Sequence, residues 1–395
     1  MDLTTILLFS VAALASLFMA WVIGAGSSGA TPFAPAVGAN AITTMKAAFV
    51  VGILGFAGAV TQGASVSEAV GRELVTGVVL PPSGVIVALL IGAGMMVIGI
   101  YTGYPIAIAF TVTGAVIGVG FALGGEPAWA KYAEIGGMWL LTPFVGAGLA
   151  FGIARVLPRP DVPEHISVAL LAGLVGAVVA NLEFVFLEPV GGTIAIAGST
   201  AVPLAGTAAV VVVSVAIGVG AALVVRWDIA RDKLGGLQRF LLVLGGLVAF
   251  SAGASQVGLA VGPLLPLLEE VSLVSPIAVL LGGGFGILVG SWTGAPRMIK
   301  AVSQEYASLG PRRSIATLVP SFLIAQTAVL LGVPVSFNEI VVSAIIGSGL
   351  AVGGSAGVSP RKLGVTVVAW IASFLLAFGL GYGSMYALST FSMTP

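Results

Sequence analysis

Apolar runs broken by short polar or Gly- and Pro-rich stretches follow one another along the whole chain. A helix needs roughly 20 apolar residues to cross the hydrocarbon core of a bilayer. Runs at 4–22, 45–61, 85–101, 132–157, 168–186, 201–225, 240–250, 276–292, 315–331 and 363–388 read as spans. Two shorter segments, 105–120 and 334–352, open on Gly-Tyr-Pro and Gly-Val-Pro, the signature of a helix that starts just after a break. Two further stretches, Ala25 to Thr43 and Ser251 to Leu268, hold too much Gly, Ser and Pro for ordinary spans and are too apolar for surface loops. They predict a facing pair of half-membrane helices. The expected fold is an all-α polytopic membrane protein with about ten to twelve membrane segments, some of them interrupted.

The pattern repeats. GYPIAIAFTVTGAVIGVGFA from Gly103 lies over GVPVSFNEIVVSAIIGSGLA from Gly332, and nearly the same offset lays Ser27 on Ser255, Ser28 on Gln256, and Trp139 close to Trp370. We read residues 1–158 as a first transmembrane repeat, 159–226 as connecting transmembrane helices, and 227–395 as a second repeat. The links at equivalent places differ in charge. Glu68, Arg72 and Glu73 make the first slightly acidic, whereas Arg297, Lys300, Arg312 and Arg313 make the second basic. Positive loops stay in the cytoplasm, so the second repeat is expected to be inverted, as in secondary transporters. The basic run 226–239 is expected to be cytoplasmic as well, in a multi-pass protein of the cell membrane. Residues 3–23 lack a basic leader region and read as a first span, not a cleaved signal. Trp21, Trp139, Trp227 and Trp292 are expected at span ends as interfacial anchors.

Composition agrees: 58% of residues are hydrophobic, 8% are charged, and mean hydropathy is +1.16, against about 25% charged in soluble domains. The zero net charge gives no sign of nucleic-acid binding. With no Cys and one His, thiolate and His-cluster metal sites and thiol nucleophiles are excluded. No Ser-His, His-Glu-x-x-His or paired acidic arrangement lies on facing spans, so no enzyme, catalytic residue, metal site or cofactor is expected beyond a coupling H+ or Na+. An anion channel is the rival from another class; saturable, ion-coupled flux separates the two.

AVGANAITTMKAAFVVGILGFAGAVTQGASVSEAVGREL (36–74), SAGASQVGLAVGP (251–263) and LGVPVSFNEIVVSAIIGSGLAVG (331–353) resemble the PiT inorganic phosphate transporters over nearly the whole chain. The resemblance implies alternating access and a homodimer. Phosphate-transporting members open each repeat on Gly-Ala-Asn-Asp-x-x-Asn. Here Ser27-Ser28 stands for Asn-Asp and Thr31 for the later Asn, while Ser255-Gln256 and Leu259 replace them in the second copy. Gly55 stands where an acid is expected. Phe337-Asn338-Glu339 replaces the family's Thr-Thr-His, with Ile108-Ala109-Phe110 as its counterpart. Lacking both central aspartates, the chain is similar to the sulfate permease branch.

The chemistry points the same way. Sulfate at neutral pH only accepts hydrogen bonds, and a fixed carboxylate would repel it. Ser28 and Gln256 turn acceptor-only positions into donors, and helix N-termini would add backbone N–H groups. The substrate-binding candidates are Ser27, Ser28, Gly29, Thr31, Ser255, Gln256 and Val257, for sulfate or a related tetrahedral oxyanion. Inorganic phosphate, coupled to sodium or protons, is the alternative substrate. Glu339 lies inside an apolar helix, where acids are costly and presumed functional; it is the candidate proton carrier, with Asn338 and Ser336 beside it. Other charges read as bland: Glu183 and Glu188 as interfacial, Glu269 and Glu270 as solvated, Lys46 as snorkelling, His165 as an exposed loop residue.

Overall fold

The computed structural model describes residues 3–204, 206–268 and 274–392; Glu269 and Glu270 lie outside the described residues. The chain is helical almost throughout: α1 (Leu3–Gly26), α2 (Ala34–Gly38), α3 (Thr44–Gln62), α4 (Ala64–Arg72), α5 (Pro82–Thr102), α6 (Ile108–Ala122), α7 (Trp129–Val156), α8 (Glu164–Ala180), α9 (Ile194–Ser199), α10 (Thr207–Arg231), α11 (Lys233–Val261), α12 (Leu265–Leu268), α13 (Pro276–Thr293), α14 (Ala295–Glu305), α15 (Pro311–Leu330), α16 (Phe337–Gly353) and α17 (Pro360–Ser392). A two-residue ladder pairs β1 (Val75–Thr76) with β2 (Glu126–Pro127). Among the described residues, nine helices are long and apolar enough to cross a membrane, and α6, α8 and α16 are shorter apolar helices. Their outward faces are rich in exposed Leu, Val, Ile and Phe, as a lipid-facing surface requires.

Several expected boundaries move. The span expected at 240–250 and the broken stretch after it form one unbroken helix, α11, whose break comes at Gly262-Pro263. The span expected at 168–186 stops at Ala180, after which a 3₁₀ turn, Val185–Val190, and α9 follow. Both links contain amphipathic helices, α4 and α14. His165 sits half-buried in the first turn of α8, not in a loop. Lys46 is exposed in the first turn of α3, as expected.

Helices cross so closely that side chains are excluded. A β-carbon on Gly24 would lie 2.1 Å from the Ile287 carbonyl oxygen, and one on Gly290 would lie 2.0 Å from that of Trp21. The same crossing recurs between α3 and α11: Gly253 meets the Gly55 carbonyl at 1.8 Å, and Gly58 meets that of Phe250 at 1.9 Å. Small residues that let backbones touch are how helices associate in lipid, where burial from water contributes nothing between them. These contacts also fix directions. Positions 17, 20 and 25 of α1 meet 286 and 294 of α13 in the same order, and 55, 58 and 63 of α3 follow 249 to 257 of α11. By contrast, Phe49, Gly52, Phe56 and Gly63 of α3 meet Trp292, Leu288, Gly284 and Leu280 of α13 in reverse. So α1 runs opposite to α11, and α3 opposite to α13.

The ends of the bundle differ in charge. At one end Glu164, opening α8, pairs with Lys233 of α11 at 2.9 Å and with Arg312 of α15. That places the basic links 226–239 and 294–313 together. Every Lys and Arg except Arg72 and Lys131 lies towards this end. A cavity of about 500 Å³ opens there between Lys233, Arg312, Arg313 and Val352. At the opposite ends of α8 and α15 a second cavity, about 720 Å³, is lined by Gln62, Ser65, Asn181, Glu183, Glu188 and Gln326.

Candidate functional site

Two half-helices meet in the interior. After α5 the chain turns at Gly103 (φ 75°), re-enters as extended buried backbone over 104–107, and starts α6. After α15 it turns at Gly332 (φ 61°), re-enters over 333–336, and starts α16. Positive φ is the reason for glycine at both turns. The two segments enter from opposite ends of the bundle, since α5 ends beside Arg297 and Lys362 while α15 ends at the wider cavity. Neither helix start has a side-chain cap: Ala107 cannot provide one, and the Ser336 hydroxyl does not. Their first N–H groups therefore have no side-chain acceptor, and uncapped helix N-termini are able to hold anions.

Asn338 ties this centre together. Its amide nitrogen donates to the Ile106 carbonyl at 2.7 Å and the Gly26 carbonyl at 3.3 Å, joining the start of α16 to the segment before α6 and to the end of α1. Ser27 and Ser28 follow at once. Both backbone N–H groups are spent on the Ile23 carbonyl, at 2.9 and 3.1 Å, and Thr31 bonds back to Ser27. Gly29 is a packing glycine, since a β-carbon would lie 1.9 Å from the Gly24 carbonyl oxygen and 2.3 Å from the Ser291 hydroxyl.

The expectation that 25–43 and 251–268 supply the helix N-termini is corrected. Ser27 and Ser28 sit at the C-terminal end of α1, and Ser255, Gln256 and Val257 lie inside α11, where N–H groups bond within the helix. In a low-dielectric surround an unbroken hydrogen-bonded helix is favoured over a Gly-rich break. Val257 packs on the Gly63 and Gly283 backbones and serves as wall. Only the side chains of Ser255 and Gln256 remain available. Trp139 is not interfacial either, for its indole donates to the Pro334 carbonyl at 2.9 Å.

The interior also holds several unmet polar groups. Buried side-chain atoms without a protein partner include Ser27 Oγ, Ser255 Oγ, both amide atoms of Gln256, Ser336 Oγ, Asn338 Oδ1 and Glu339 Oε2. Buried polar groups are ordinarily paired, and leaving one unmade costs about 1–3 kcal/mol. Such groups occur at the start of α16, just after α1 and within α11, which packs on α1, whereas the start of α6 carries none. Among the described residues no group of His, Cys, Asp and Glu suited to a metal ion occurs. Sequence reasoning missed Gln326, whose amide donates to Ser251 Oγ at 2.7 Å, one helical turn from Ser255, while also lining the wider cavity. An amide inside an apolar span was the signal for it.

The phosphate transporter family model matches residues 23–381. A protein of Thermococcus kodakarensis named as a phosphate permease is 27% identical over 359 residues, covering 85% of this chain and 86% of its own. An Arabidopsis thaliana protein named inorganic phosphate transporter 2-1, chloroplastic, is 25% identical over 407 residues, covering 89% and 67%. A solved structure titled the sodium-dependent phosphate transporter superposes with a TM-score of 0.78 over 98% of this chain and 100% of that one, at 21% identity, which establishes the fold.

Proposed function

Since the chain belongs to the phosphate transporter family, we propose that it is a secondary transporter, not an enzyme, that carries inorganic phosphate across a membrane by alternating access. The carrying observation is the set of unpartnered buried polar atoms at the start of α16, just after α1 and within α11, together with the two uncapped half-helix starts. The names of the relatives favour phosphate over the sulfate expected from the sequence. A second reading, sulfate, keeps one specific support: Ser28 and Gln256 are neutral, so among the described residues the one buried carboxyl in this centre is Glu339. Monohydrogen phosphate has a proton to donate and Glu339 Oε2 can accept it; sulfate has none.

The halves 1–158 and 227–395, joined by 159–226, form an inverted duplication in this reading. The opposed directions of α1 and α11, and of α3 and α13, support it. The end crowded with Lys and Arg, including loop 226–239, faces the cytoplasm by the positive-inside rule. Ser27, Ser28, Thr31, Ser255 and Gln256 contact the anion together with the N–H groups opening α6 and α16. Glu339 carries the coupling proton, with Asn338 and Ser336 setting its surroundings, and the protein works as a homodimer in the cell membrane.

Proteoliposomes separate these readings. Labelled phosphate should accumulate under an imposed proton gradient and saturate with concentration, with sulfate a poor competitor. Sulfate uptake with phosphate excluded would reverse the substrate, a sodium gradient acting alone would reverse the coupling ion, and unsaturable flux would mean a channel.

A further inference from the structure

Two tryptophans at matching positions of the two halves make one and the same bond, each to the opposite half. Trp139 of α7 donates its indole N–H to the Pro334 carbonyl at 2.9 Å, in the re-entrant segment that leads into α16. Trp370 of α17 donates to the Pro105 carbonyl at 2.8 Å, in the segment that leads into α6. These carbonyls belong to extended backbone outside any helix, so the indole supplies what a ladder or a helix supplies elsewhere. The neighbouring glycines repeat the exchange. A β-carbon on Gly118 of α6 would meet the Phe378 carbonyl of α17 at 2.2 Å, and one on Gly347 of α16 would meet the Ala147 carbonyl of α7 at 2.1 Å.

We propose that Trp139 and Trp370 are positioning residues that each fix the re-entrant segment of the other half, and with it the half-helix start that faces the ligand. Each half is thus unable to shape its own half-helix start. The pins differ in what backs them. Trp139 stacks on Phe110 with ring centroids 3.9 Å apart and meets Phe374 edge-on at 5.9 Å, and it holds the segment that carries Ser336, Asn338 and Glu339. Trp139 therefore bears on the groups that bind and couple, and through Phe110 on the first turn of α6 as well, while Trp370 bears on the segment before α6. The consequence for uptake rests on the transporter reading; the pinning itself does not.

The chain has no cysteine, which permits a test free of transport. Val335→Cys and Ile106→Cys place single thiols in the two segments, both buried. In purified protein, Trp139→Phe should speed thiol labelling at 335 at least about tenfold and leave 106 unchanged, and Trp370→Phe should do the reverse; tenfold corresponds to about 1.4 kcal/mol, one lost hydrogen bond to a neutral group. Trp139→His, which retains a ring N–H, should restore part of the protection. A general loosening, with both sites faster in either variant, overturns the proposal, and so does labelling unchanged in both. In proteoliposomes Trp139→Phe should raise KM for phosphate with little change in maximal rate. Crossed labelling without any uptake would leave the pins standing and remove the transporter reading.

Discussion

α6 and α16 follow one plan and carry opposite chemistry. Both begin after a left-handed glycine and a buried extended segment, both lack a cap, both receive a cross-half tryptophan, and both touch a neighbouring backbone through one glycine. Yet α6 starts on Ile108-Ala109-Phe110 and spends Phe110 on the face of Trp139, whereas α16 starts on Phe337-Asn338-Glu339 and leaves Asn338 Oδ1 and Glu339 Oε2 without partners. The shared parts are backbone geometry. The unshared parts are three side chains. Of the two half-helices, then, only α16 offers polar side chains at its start.

Four experiments would break or sharpen that contrast. The largest effect belongs to the shared scaffold: Gly118→Leu and Gly347→Leu force side chains into carbonyl oxygens 2.2 and 2.1 Å away. Each should destabilise the protein by about 3 kcal/mol, the upper range for overpacking, seen as matched losses in thermal stability in detergent. A large effect in only one would show that the halves are not equally interlocked. Next come the unshared groups. Glu339→Gln should lower proton-driven uptake by about 5–150-fold, the span of a 1–3 kcal/mol coupling, and flatten its pH profile. Its mirror, Phe110→Leu, should leave the pH profile unaltered.

Asn338→Ala removes two hydrogen bonds and should raise KM roughly thirtyfold at about 1 kcal/mol per bond, while Ala109→Ser changes KM less than about twofold. The smallest effect lies where α16 ends, beside the basic cavity. Arg312 holds the Glu164 carboxyl below its ordinary value, with Lys233 adding to this. A lowered carboxyl pKa stabilises the fold fully above the ordinary value of 4.5, and the benefit is lost as pH falls through the lowered value. With both cations largely exposed, Glu164→Gln should cost about 0.5 kcal/mol at pH 7. The gap to the unsubstituted protein should close in acid, as followed by melting temperature against pH.

Much of this was legible in the chain. Span-length apolar runs located most crossings, and the register of Gly103-Tyr-Pro on Gly332-Val-Pro located the starts of the two short helices α6 and α16. Ser251 to Leu268 misled because glycine has two uses in a membrane: it can end a helix or let a backbone approach. Gly253 and Gly258 serve the second, and only Pro263, which opens a 3₁₀ turn, marks the true end of α11. Trp139 misled for a related reason, since an indole at a lipid boundary and one donating to an interior carbonyl look alike in a string of letters. The partner carbonyl, at Pro334, is 195 positions away.

The carbonyl-to-glycine crossings of α1 with α13 and of α3 with α11 limit how the molecule can move. Sliding either pair by one residue would drive a side chain into a backbone oxygen, so these four helices behave as a keel. Any swing that opens one face and shuts the other has to be made by the outer helices and the re-entrant hooks turning about it.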